Sequence, residues 1–145
     1  MEKETGELLN ELTNSTNLEN YFSENESDFL NYTLAEYFDE LFKETGAKKT
    51  DVVKKSNLSP GYAYHILAGL KKPSRDRIIA LALGFDLNLT QTQRLLRVAK
   101  FSELYARDKR DCVVIYAIQK KLSVIALNSA LFEKEMEILE GTTRN

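Results

Sequence analysis

The chain has one cysteine, one histidine, two prolines and six glycines among its 145 residues. A lone cysteine leaves no internal disulfide to form, and the position of Cys112 inside an apolar run predicts a buried, inert thiol. A lone histidine, His65, removes most transition-metal sites. No P-loop, GxSxG element or glycine-rich phosphate cradle is present, so neither enzyme chemistry nor a cofactor or metal is expected. Few prolines and glycines also leave little room for linkers. The apolar stretch 112–118 falls far short of the roughly 20 residues a membrane span needs, and the N-terminus lacks the basic region of a leader. The expectation is a cytoplasmic protein, one globular domain with a helical appendage and no membrane partner.

What the chain does have is charge, unevenly distributed. Residues 1–45 hold 2 Lys and Arg against 12 Asp and Glu, a net of −10. Residues 46–110 reverse this with 14 against 5, net +9, and residues 111–145 are close to neutral with 4 against 5. A basic middle segment is the electrostatic footprint of a nucleic-acid-binding face; a lysine-rich solvated helix surface is the alternative.

Within that segment, residues 48–73 read KKTDVVKKSNLSPGYAYHILAGLKKP. Their spacing predicts two short helices joined by a tight turn. Val52 and Val53 point inward from the first helix, which stops near Ser56 and Asn57, and Leu58 fills the corner. Ser59 is placed as an N-cap, and Pro60 stands at the first helical position, where a missing N–H costs nothing. Ala63 and Ile66 face the first helix, which leaves Tyr62, Tyr64 and His65 directed at solvent or a ligand. Gly69 supplies the left-handed residue that ends the helix. Lys48, Lys49, Lys54, Lys55, Lys71, Lys72, Arg75 and Arg77 flank the unit, as phosphate contact requires.

With Leu41, Val52, Ala63, Ile66, Gly69, Pro73 and Leu81 at their spacing, the segment resembles the helix-turn-helix domain of Cro/repressor-type (Xre) DNA-binding proteins. The resemblance implies an all-α, lambda repressor-like five-helix unit over about residues 34–99. It also implies that residues 60–68 form a recognition helix for double-stranded DNA. Ser59, Pro60, Gly61, Tyr62, Tyr64 and His65 would meet base edges, Lys49 would touch phosphate, and Lys71 and Lys72 would add to the phosphate contacts. Pro60 and Gly61 depart from the family in offering no side-chain donor at two positions that usually read bases.

On either side the pattern stays helical. In the acidic extension, residues 1–33, Leu8, Leu9 and Leu12, then Leu18, Tyr21 and Phe22, predict short helices. Its acids are read as solvation, the other reading being a brake folded over the basic face. Leu34, Tyr37, Phe38, Leu41 and Phe42 then form one apolar stripe, capped by Thr33 or Asn31, opening a DNA-binding domain over residues 34–100.

The remainder, residues 101–145, repeats the part before it. A shift of 35 residues lays RDRIIALALGFDLNLTQTQRLL over RDCVVIYAIQKKLSVIALNSAL with five identities, among them Arg75/Arg110 and Asp76/Asp111. Each copy reads as a helical hairpin, capped at Asn88 in the first and at Ser123 in the second. The C-terminal hairpin is expected to pack on the same core. Its helix from Asp111 looks buried on several sides. A last helix over residues 123–140 has more apolar surface than one neighbour would cover, leaving homodimerisation and internal packing both open.

Two uses of the fold remain. One is a bacterial-type transcriptional regulator. The other is a protein-interaction module binding a protein partner through Tyr62, Tyr64 and Leu67.

Overall fold

The computed structural model describes residues 3–25 and 33–142, and among them the chain is all-helical. It forms two compact units, residues 1–31 and 32–145.

The N-terminal unit contains α1 (Thr5–Asn14) and α2 (Leu18–Glu24), the short helices its leucine spacing predicts. The Asn17 side chain caps α2 by accepting from Asn20 N–H, and Lys3 Nζ reaches both Glu11 and Asn25 at 2.6 Å. Tyr21 is buried, whereas Leu9, Leu12, Leu18 and Phe22 are exposed.

The second unit begins with α3 (Leu34–Thr45). Thr33 and Glu36 close its first turn reciprocally, each side chain accepting the other's backbone N–H. Tyr37, Phe38 and Leu41 fill its buried stripe, and Gly46 ends it at φ +70°. Then come α4 (Lys49–Ser56) and α5 (Pro60–Leu67), the two short helices expected from the spacing. Asn57 takes the left-handed conformation at φ +60° that terminates α4, tolerable in an asparagine because its short polar side chain bonds locally. Leu58 is buried in the corner, and its N–H is 3.3 Å from the buried Ser56 Oγ. Gly69, at φ +81°, donates to Ile66 O while Leu70 N–H donates to His65 O, a Schellman closure of α5.

α6 (Arg75–Gly84) and α7 (Leu89–Val98) form one hairpin, α8 (Lys109–Gln119) and α9 (Val124–Glu133) the next. They share one apolar core with α3, α4 and α5, in which Phe38, Ile66, Ile79, Leu95, Leu127 and Leu131 are fully enclosed. α4 packs closely on α6 because Gly84 has no side chain: a Cβ there would stand 2.6 Å from Val52 O.

The 35-residue repeat is a structural repeat. Asn88 caps α7 through Gln91 N–H, and Ser123 caps α9 through Ala126 N–H. Asp86 and Lys121 turn left-handed before the second helix of each copy, and Lys100 and Glu135 after it. Side chains extend the correspondence. Gln93 Oε1 accepts from Leu104 N–H, and Asn128 Oδ1 accepts from Leu139 N–H, one repeat further on.

Three expectations change. The last helix ends at Glu133 rather than near residue 140. Leu139 is nonetheless fully buried, because Asn128 anchors the irregular segment that carries it. α8 buries only one face, with Asp111, Val114, Ala117 and Ile118 inside and Tyr116 59% exposed. Cys112, expected inside, lies exposed on the other face, its thiol 3.1 Å from Ala106 O.

Candidate nucleic-acid interface

The exposed side of α4, the turn and α5 gathers most of the residues singled out from the sequence. Lys49, at the first position of α4, is exposed, its Nζ 5.8 Å from the centre of the Phe42 ring. Ser59, Pro60, Gly61, Tyr64 and His65 are exposed along the start and outer face of α5, and Lys71 and Lys72 are exposed in the loop that follows. Ala63 and Ile66 are fully buried beneath them, so the helix is fixed from below while its outer face is accessible.

Gly61 has open space around it: a Cβ built there meets nothing within 4 Å. The glycine is thus not demanded by packing inside the chain, and it leaves the backbone of the first turn bare. Ser59 occupies the position before α5, but its side chain makes no capping bond; Pro60, lacking an N–H and with φ preset, supports the helix start instead.

Tyr62 departs from the expectation of an outward-facing side chain. It is half-buried against the core, and the Arg77 guanidinium carbon lies 4.7 Å from its ring centre. Arg77 in turn donates to Glu140 Oε1 at 3.1 Å and packs against Gly141, where a Cβ would come within 2.6 Å of Nε. Leu67, expected on the same surface as Tyr64, is only 3% exposed, so an apolar docking face here loses that member.

Arg75 also leaves the set of phosphate contacts. Its guanidinium spans the two carboxylate oxygens of Asp111 at 2.9 and 3.0 Å, and donates to the carbonyls of Ser102 and Glu103. The exposed basic residues around α4 and α5 are therefore Lys48, Lys49, Lys54, Lys55, Lys71 and Lys72.

The C-terminal segment supports this surface from behind. Leu58, in the turn between α4 and α5, pairs with Thr142 in an isolated antiparallel bridge. Thr142 Oγ1 accepts from Asn128 Nδ2 at 2.8 Å and donates to Leu139 O. The turn that sets the angle of α5 is thereby tied to α9. That bridge is not legible from the sequence, since residues 58 and 142 share neither motif nor periodicity.

Two carboxylates are paired with arginines between the hairpins. Burial pushes the Asp111 carboxyl up, but the hydrogen bonds from Arg75 and from Tyr105 N–H outweigh it and hold it below its ordinary value. Asp76 behaves alike, burial being opposed by Arg110 and by Glu140 N–H. Both sites stabilise the fold. Among the described residues no group of three or more His, Cys, Asp and Glu could hold a metal ion, and no helix is long and apolar enough to cross a membrane.

No protein-family model, curated protein or solved structure matches the chain.

Proposed function

We propose that this chain is a sequence-specific DNA-binding regulator of Xre type, with α3 to α7 as its lambda repressor-like five-helix unit and residues 60–68 as the recognition helix. The observation that carries the reading is the outer face of α5. Tyr64 and His65 stand on it above a buried Ala63 and Ile66, beside a bare first turn and among six exposed lysines. An α-helix of this kind fits the major groove, and lysines flanking it neutralise phosphates.

In this reading Lys49 and the other lysines fix register on the backbone, and Tyr64 and His65 contact base edges or sugar. Gly61 lets the first turn approach the duplex without a side chain between. Tyr62 acts one step back, holding Arg77 and the start of α6. The second reading, a protein-interaction face, is favoured by the missing donors at Pro60 and Gly61, with Tyr64 and exposed Leu70 as its apolar anchors in place of Leu67.

The test is fluorescence anisotropy with duplexes tiling the chain's own promoter region and with scrambled controls, at about 50 and about 200 mM salt. Six phosphate contacts predict roughly a thousandfold loss of affinity between these conditions. Preferential, salt-sensitive binding to one tile supports the regulator. Binding to no duplex at the lower salt overturns it in favour of a protein partner.

A further inference from the structure

α5 is only eight residues long and packs mainly on α3 and α4. Its buried side chains, Ala63, Ile66 and Leu67, lie from the middle of the helix to its far end. The first turn is held less directly. Pro60 and Gly61 are exposed, so Tyr62 and the preceding Leu58 are what pin this end to the core. It is the end proposed to read bases.

Residues 139–142 reach both of those anchors. Thr142 pairs with Leu58 directly. Tyr62 is reached through Arg77, whose guanidinium carbon is 4.7 Å from the ring centre, whose Nη1 donates to Glu140 Oε1 at 3.1 Å, and which Gly141 touches closely. A Cβ on Gly141 would stand 2.6 Å from Arg77 Nε and 3.1 Å from its Cζ, and φ is +81°, so this position demands glycine twice over. The segment is itself tied to both hairpins. Leu139 N–H donates to Asn128 of α9 and Glu140 N–H to Asp76 of α6, each at 3.0 Å, while Thr142 Oγ1 donates back to Leu139 O at 2.6 Å.

We infer that residues 139–142 are a strap that sets the pose of the first turn of α5, with Arg77 as the positioning residue between the strap and Tyr62. What that pose serves rests on the DNA reading. Long lysines reach phosphates from a range of helix poses, whereas base edges are read only from a closely held one. The strap therefore acts on discrimination rather than on backbone affinity. Arg77, a basic neighbour of α5, is by the same argument not a phosphate contact: its charge is matched by Glu140 and its guanidinium is committed to Tyr62 and Gly141. The C-terminal hairpin thus belongs to the reading apparatus, acting on α5 at one remove.

The test is hydrogen exchange and duplex binding of the full chain carrying Arg77→Met or Gly141→Ala. Ala63 N–H donates to Ser59 O at 2.9 Å, closing the first turn of α5 as Val52 N–H, on Lys48 O at 3.0 Å, closes that of α4. In both variants Ala63 should exchange about tenfold faster relative to Val52, whereas a general loss of stability quickens the two alike. Preference for the operator tile over scrambled duplexes should fall about tenfold with the salt slope unchanged. Exchange at Ala63 that does not outpace Val52 in either variant overturns the inference, as does a salt slope lower by about one in Arg77→Met with all duplexes weakened alike, the mark of a phosphate contact. If wild type prefers no duplex, the regulator reading falls, and the exchange result alone decides whether the strap holds α5.

Discussion

Arg75 and Asp111 open different helical hairpins 36 residues apart, yet the guanidinium of one spans both carboxylate oxygens of the other. Arg110 and Asp76 form the mirror pair. Arg-Asp at the start of each repeat is thus a clamp between repeats.

Breaking one clamp should cost stability. Asp111 is 6% exposed, so Asp111→Ala strands a half-buried guanidinium and should lower unfolding free energy by about 2–3 kcal/mol, between exposed and fully buried pairs. Urea denaturation measures it. The double variant Arg75→Met/Asp111→Leu should recover part of the loss, because neither charge is then left alone.

The same pairs set an acid limit. Asp76 and Asp111 are both held below the ordinary aspartate value, so the folded state binds their protons less readily than the unfolded chain. Their contribution is complete above the ordinary value of about 3.9 and is lost as pH falls below it through the folded-state values. Thermal melts from pH 7 to pH 3 should show the decline concentrated below about pH 4 and reduced in Asp76→Asn/Asp111→Asn.

Gly84→Ala should be destabilising by about 1–3 kcal/mol, since the added methyl meets the Val52 carbonyl at 2.6 Å and α4 must move. Gly61→Ala meets nothing within 4 Å and should leave thermal stability nearly unchanged or slightly raised. If Gly61→Ala weakens DNA binding while melting normally, the bare first turn is a contact surface.

Tyr64→Ala and His65→Ala should reduce discrimination between operator and scrambled duplexes, by roughly 1–3 kcal/mol for a base-reading contact. Lys49→Ala and Lys71→Ala should instead weaken all duplexes alike and lower the salt slope by about one each. Equal losses on every sequence from Tyr64→Ala would remove that residue from base reading.

Asn128→Ala removes the acceptor for Leu139 N–H and the donor to Thr142. Hydrogen exchange should quicken at Leu139, and also at Leu58 N–H if the Thr142 bridge steadies the turn before α5. Unchanged exchange at Leu58 would show that the turn is held by its own helices alone.

Local rules were sufficient for much of the molecule. Thr33 with Glu36, Asn88 with Gln91, Pro60, Gly46 and Gly69 fix helix ends through groups a few residues away, so helix existence and most boundaries were legible. The 35-residue repeat was legible for the same reason: each copy must cap, turn and bury in the same order. The exposed positions of Tyr64, His65 and Lys49 follow from helical period.

Tertiary structure decided the rest. Tyr62 and Tyr64 are both aromatic on a short helix, and the packing of Arg77 and the core against one covers it and leaves the other open. Arg75 and Lys71 are both basic neighbours of α5, but a carboxylate 36 residues away claims the arginine. Leu139 is buried without a helix because Asn128 satisfies its N–H, and α8 shows one face to solvent because, among the described residues, no element of its own unit lies over it as α4 lies over α6. Such outcomes depend on partners distant in sequence. Periodicity encodes which residues share a face, not what lies across from it.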